Sequence, residues 1–197
     1  MFELYDFTFS HYSEKARWAL DFKGVPYTPR HLLPGFHMRT TRKLAPRSSV
    51  PILKTDSTVI QGSTEIINFL DQTFPDRSLT PPDPHDAATA IEWEKYLLMN
   101  INAETASNAE QRFALALDRL DHALERGPFL VGNRFSRADL TACSLLWPLC
   151  RPGESESEIE ALLCPTVCAL RKQLQHRPFY RWVLERYKED RTPRDAR

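Results

Sequence analysis

The chain has 197 residues, 26 basic against 26 acidic side chains, no formal net charge, a pI near 7.0 and a mean hydropathy of −0.46. At roughly 100–200 residues per domain this is one domain or two small ones, and 42% hydrophobic with 26% charged residues exclude a disordered or fibrous chain. A zero balance removes the simplest argument for nucleic-acid binding, which needs surplus Lys and Arg facing phosphates, and no apolar run approaches the ~18–20 residues of a membrane helix.

Phe2 to Asp6 alternate Phe2 and Leu4 against Glu3 and Tyr5, which predicts a short strand. Ser10 then precedes a helix over 11–23 that Gly24 stops at its C′ position. A second strand is expected around Tyr27 to Leu32, and Pro34 to Arg47 reads as polar, basic and irregular with room for one helix. Val50 to Thr55 and Thr58 to Gln61 are β-rich runs separated by Asp56-Ser57, a hairpin signal. Ser63 opens a helix whose Ile67, Leu70 and Phe74 share a face, and Pro75 ends it. A strand–helix–strand unit runs its strands parallel, whereas a two-residue loop makes the last pair antiparallel, so the expectation is a mixed four-stranded sheet in β-α-β-α-β-β-α order.

Leu79 to Pro84, rich in Pro and Asp, is read as a linker over 79–85 between a first domain of residues 1–78 and an all-helical domain of residues 86–197. Asp83 caps a helix with Pro84 at N1, carrying Ile91, Trp93, Leu97 and Leu98 to about Asn102. A second helix covers Asn108 to Arg126, and Ser136 to Asp139 has the form of a capping box, with Phe135 as a staple against Leu140. That helix is expected to stop at Pro148, with further helices over Gly153–Leu163, Pro165–Gln175 and Pro178–Asp190 and a frayed tail over 191–197. Cys143, Cys150, Cys164 and Cys168 form no C-x-x-C pair and have no partnering His cluster, so no metal site is expected and reduced thiols are. The start lacks a basic region followed by an apolar one, which predicts a cytoplasmic protein.

Four segments in this order resemble the glutathione S-transferase family: Ser10 to Arg17, Val50-Pro51-Ile52-Leu53, Gly62 to Leu70, and Phe129 to Asn133 leading into Ser136 to Leu140. Within the family the chain looks most like the bacterial serine- or cysteine-type classes. The resemblance implies a thioredoxin-like first domain, an all-α second domain, a homodimer, and glutathione as co-substrate of a small hydrophobic electrophile. No metal or organic cofactor beyond glutathione is expected, and neither nucleic acid nor membrane is expected as a partner.

That chemistry needs an ionised thiol, and a free Cys thiol has a pKa of about 8.5. Lowering it by about two units takes roughly 2.7 kcal/mol. One hydrogen bond to a charged group supplies roughly 1.5–3 kcal/mol and a helix N-terminus roughly 0.3–1 more, so a single hydroxyl at a helix start is enough. The resemblance implies Ser10 in that role; read alone, Ser10 is an ordinary N-cap, and Tyr5 and Ser13 are its rivals. It further implies a cis Val50-Pro51 bond that turns the Val50 backbone toward the cysteinyl part of glutathione. Ser63 would bind the γ-glutamyl carboxylate at a helix N-terminus. Gly62 stands where most members carry Glu or Gln, and Gln61 or Glu65 is expected to compensate. His11 replaces a frequent proline. His37 and Arg39 are the candidates for the glycine carboxylate, within a basic segment that also holds Arg42, Lys43 and Arg47. Tyr12, Trp93, Tyr96 and Asn100 are the candidates for the electrophile. Two alternatives accompany this reading. Glutathione-dependent isomerase or reductase chemistry is one, although a mixed-disulfide route would want Cys at position 10. A non-catalytic interaction module is the other.

Overall fold

A computed structural model describes residues 1–101 and 108–191. The expected helix end at Asn102 and the expected fraying of residues 192–197 lie outside the described residues. Two compact units emerge: residues 1–82 together with Arg191, and residues 83–190.

The first unit contains β1 (Glu3–Asp6), α1 (His11–Lys23), β2 (Thr28–His31), α2 (His37–Leu44), β3 (Ile52–Lys54), β4 (Val59–Gln61) and α3 (Ser63–Thr73). Its sheet has the order β2-β1-β3-β4, parallel between β1 and β2 and antiparallel at the other two pairings, as the connection lengths require. Leu4 of β1 and Ile52 and Leu53 of β3 are fully buried, and Ala16, Trp18, Ala19 and Leu20 of α1 join Ile66, Ile67 and Leu70 of α3 in the same core. Gly24, at φ 69°, ends α1, its N–H reaching Asp21 O while Val25 N–H reaches Leu20 O. Lys23 joins the far ends of α1 and α3 by a 2.7 Å ion pair to Asp71. Burial pushes the Asp71 carboxyl up in pKa, but hydrogen bonds from Lys23, Thr80 and Leu79 outweigh it and leave the group below the usual carboxylate range. Arg191 packs over Trp18 and pairs with Glu14 at 3.0 Å and with Asp21.

The second unit holds α4 (Pro84–Asn100), α5 (Ala109–Leu124), α6 (Arg137–Cys150), α7 (Glu156–Leu162), α8 (Pro165–Leu174) and α9 (Pro178–Glu189). The central helix is α6, buried over nearly its whole length. Its N-terminus carries the capping box: Asp139 accepts from Ser136 N at 2.9 Å, Ser136 Oγ at 2.8 Å and Leu130 N at 2.8 Å. Glu94 of α4 and Arg137 of α6 form a buried ion pair at 2.5 Å. Of the boundaries that differ from the sequence reading, two have a plain physical cause. α6 passes through Pro148 to Cys150, because Leu149 and Cys150 are buried and that packing offsets a proline cost of about 3 kcal/mol. α7 starts after Ser155 rather than at Gly153, because Ser155 and Glu158 form a second capping box. Among the described residues no helix is long and apolar enough to cross a membrane.

Candidate functional site

Strand register alone gathers most of the candidates. Tyr5 pairs with Ile52 and Ile52 with Gln61, while Asp6 pairs with His31. The loop leaving β1 toward Ser10, the Val50-Pro51 segment entering β3, the Gln61-Gly62-Ser63 exit from β4 and the segment after β2 that leads to His37 therefore lie at one end of the sheet. Two helices, α1 and α3, begin at that end with their N-termini, where first-turn N–H groups have no partner within the helix and anions are favoured. Lys15 of α1 is fully buried and donates to Thr64 Oγ1 of α3 at 3.4 Å, which holds the two starts together.

Ser10 is the N-cap of α1, with extended backbone (φ −84°, ψ 123°), and its Oγ accepts the Ser13 N–H at 3.3 Å. A hydroxyl has two acceptor lone pairs and one proton, so this cap leaves the Ser10 O–H able to donate. Ser13 is buried, and its Oγ accepts the Phe7 N–H at 3.2 Å, an anchor for the loop between β1 and α1. Arg17 supports the same loop through Phe7 O at 3.3 Å and Thr8 O at 3.2 Å. Its guanidinium also pairs with the buried Asp6 at 2.5 Å, and Asp6 takes His31 Nδ1 at 2.7 Å. Alternation along β1 turns Tyr5 to the face opposite Leu4 and Asp6. There Tyr5 lines a hollow of about 460 Å³ with Arg39, Thr40, Lys43 and Leu44 of α2, its hydroxyl 3.5 Å from Glu3.

The Val50-Pro51 peptide bond is cis, and Pro51 O accepts the Gly62 N–H at 2.9 Å. Gly62 is the cap residue of α3 at φ 109°, a conformation that disfavours side chains, and Ser63 follows as the first helical residue, buried. The Gln61 amide is turned away from the helix start. Its Nε2 donates to Arg47 O at 2.7 Å and Ser49 O at 2.8 Å, and its Oε1 accepts the Arg47 N–H at 3.1 Å. Arg47 returns a bond to Gln61 O at 3.1 Å, and its guanidinium lies 3.5 Å from where a Gly62 Cβ would stand. This reciprocal clamp fixes the segment leading into Pro51. Glu65, at the third position of α3, is exposed.

His37 opens α2 with its ring edge-on to Phe7 at 4.8 Å, and its Nδ1 is buried with no hydrogen-bond partner among the described residues. Arg39 is exposed and belongs to the Tyr5 hollow, so the two candidates for one carboxylate face different surroundings. The Tyr12 ring meets that of its neighbour His11 at 4.4 Å, tilted by 44°. In the second unit Trp93 is buried and meets Tyr96 edge-on at 6.0 Å, and the Arg119 guanidinium lies 4.5 Å and 4.1 Å from their ring centroids. Asn100 bonds Tyr96 O at 2.7 Å and accepts from Arg112 at 3.1 Å. The aromatic pair is thus engaged by Arg119, a contact no local sequence pattern announces. Among the described residues one group of three potential metal ligands converges, Asp83, His85 and Asp86, and Asp83 is already occupied as the cap of α4.

Residues 4–78 match the model of the glutathione S-transferase N-terminal domain, and residues 85–178 match that of the C-terminal domain. A Nicotiana tabacum protein named a probable glutathione S-transferase is 28% identical over 152 residues, covering 71% of this chain and 67% of that protein. A glutathione S-transferase of Pseudomonas putida is 24% identical over 160 residues, covering 73% and 72%. A solved Methylobacterium radiotolerans glutathione S-transferase, complexed with glutathione sulfonate, has the same fold. It superposes with a TM-score of 0.65 at 22% identity, over 93% of this chain and 94% of that one.

Proposed function

Because the chain belongs to the glutathione S-transferase family, we propose that it is a glutathione transferase, of the bacterial serine-like kind, whose Ser10 hydroxyl stabilises the glutathione thiolate. The observation that carries this reading is the Ser10 side chain at the N-terminus of α1, its acceptor side engaged by Ser13 and its proton free to donate, at the sheet end that also holds cis-Pro51 and Ser63. The thiolate attacks an electrophilic carbon; the C–S bond forms as the leaving group departs with its electron pair. The cysteinyl backbone of glutathione pairs with Val50 as an added strand, and its γ-glutamyl carboxylate sits at the start of α3 by Ser63. The protein works in the cytoplasm as a homodimer.

Ser10→Ala tests the assignment. Losing the hydroxyl's share of about 1.5–3 kcal/mol lowers kcat/KM for an aryl halide about 10- to 100-fold and raises the bound thiol's pKa by about one to two units in ultraviolet titration, whereas Ser10→Thr restores both. Unchanged activity in Ser10→Ala removes Ser10 from the role. A second reading, a non-catalytic interaction module, is favoured by one observation: Gly62 offers no side chain and Gln61 is committed to Arg47 and Ser49. Passage through a glutathione-affinity column without retention would put that alternative ahead; retention with elution by free glutathione supports a live site.

A further inference from the structure

The chain as a whole is electrically balanced, but its charges are segregated. Residues 22–55 hold seven Lys or Arg side chains and no Asp or Glu, so this stretch must find its counter-charges elsewhere. Lys23 takes Asp71, Arg30 and Lys54 share Glu3, and Arg47 bonds the Gln61 carbonyl. Arg39 and Lys43 are exposed and form no ion pair or side-chain hydrogen bond among the described residues. They stand one turn apart on α2 and line, with Thr40, Leu44 and Tyr5, the hollow of about 460 Å³. The carboxylate beside the Tyr5 hydroxyl belongs to Glu3, and the Arg30 hydrogen bond above all holds it below the usual carboxylate range. Its charge is thus spent on Arg30 and Lys54, and no acidic residue lines the hollow.

The hollow is set back from the sheet end that holds Ser10 and Ser63. His37 opens α2 against Phe7 at that end and does not line the hollow. Lys43 lies six residues further along the helix, about 9 Å at 1.5 Å per residue, and Tyr5 precedes Phe7 by about 7 Å of extended chain. A volume of about 460 Å³ is in the range of small-molecule sites and more than an inorganic anion fills. Its lining supplies an aromatic ring and a Leu side chain for an apolar body, and two cations and a hydroxyl for an anionic head. Two uncommitted cations whose Cβ atoms are about 5–6 Å apart match a dianion. A phosphomonoester carries a charge of about −1.5 to −2 near pH 7 and three acceptor oxygens. A guanidinium takes two such oxygens side by side, and an ammonium serves the third as a point charge.

We propose that the hollow between Tyr5 and α2 binds a small phosphomonoester that carries an aromatic ring. The phosphoryl group sits at Arg39, Thr40 and Lys43, and the ring lies against Tyr5 and Leu44. The site is independent of the glutathione reading, because none of the elements that carry that reading lines it.

The test titrates the full chain with phenyl phosphate and follows the backbone amides by nitrogen-15 NMR. The expected result is saturable binding of one molecule per chain, with the largest shifts at Tyr5 and residues 39–44. Inorganic phosphate, which lacks the ring, should bind about 2- to 10-fold more weakly. Phenyl sulfate has the same shape with one charge less and should be several-fold weaker than phenyl phosphate. Arg39→Gln and Lys43→Gln should each weaken phenyl phosphate about 3- to 10-fold, the modest loss that exposed, screened cations give, and the double variant should remove measurable binding. Tyr5→Phe keeps the ring and should stay within about 3-fold of the parent, whereas Tyr5→Leu should lose the preference over inorganic phosphate. Shifts centred on Ser10, Val50 and Ser63, equal affinity for phenyl sulfate, or full affinity in the double variant overturns the proposal. Tighter binding of a phosphotyrosine pentapeptide than of phenyl phosphate also overturns it, since the source of the group would then be a peptide rather than a small molecule.

Discussion

Asp139 offers a sharp test of how the second unit is held together. Its carboxylate is fully buried and takes three hydrogen bonds, two of them from backbone N–H groups of Leu130 and Ser136. Asp139→Ala strands both N–H groups, at about 1–3 kcal/mol each, so the loss is about 4 kcal/mol. Burial raises the pKa of this carboxyl to about 6 against the hydrogen bonds that lower it. The sign follows from linkage. An unfolded Asp titrates near 3.9, so between about pH 4 and 6 the folded protein binds the extra proton, and stability falls as pH rises through that window. At about 1.36 kcal/mol per unit the effect is about 3 kcal/mol. Urea denaturation followed by tryptophan fluorescence, with exchange protection of the α6 amides as a local readout, measures both effects. Asp139→Asn cannot titrate and supplies the reference: its stability difference from the parent should change by about 3 kcal/mol between pH 4 and pH 7. An alanine variant within about 1 kcal/mol of the parent, or a parent–Asn difference that is flat with pH, refutes the reasoning.

Further outcomes follow from other contacts. Glu94→Gln leaves Arg137 buried without its anion and should cost about 3–5 kcal/mol, read as a lower urea midpoint. Gly62→Ala places a side chain at φ 109° and should destabilise by about 1–3 kcal/mol; thermal denaturation reads it, and a neutral result would show that the cap of α3 relaxes easily. Gln61→Ala removes three hydrogen bonds that hold residues 47–49, so KM for glutathione should rise several-fold with the melting temperature falling by a few degrees. A shift in kcat alone would place Gln61 elsewhere in the reaction.

Local rules carried much of the fold. The Ser10 cap, the Gly24 stop, the Asp56-Ser57 turn and the Ser136–Asp139 box each involve residues within a few positions, so their chemistry is visible in the string. Pro148 shows the limit: a strong local breaker yields where buried neighbours on either side hold the helix. The site divides the same way. Ser10, Val50-Pro51 and Ser63 are legible as motifs, while the Arg47–Gln61 clamp spans 14 positions and the Arg119 stack joins different helices. Arg17 closes the Ser10 to Arg17 segment, yet its bonds to Asp6, Phe7 and Thr8 depend on where β1 ends relative to α1.

The strand pairings also divide the first unit into a conservative rim and a permissive one. The turn at Asp56-Ser57 and the bend from Gly24 to Tyr27 occupy the rim away from Ser10 and Ser63. Extra residues inserted there can bulge outward without dragging any candidate side chain with them. One residue added inside β3, by contrast, would rotate Pro51 to the other side of the ladder and dismantle the whole constellation at a stroke.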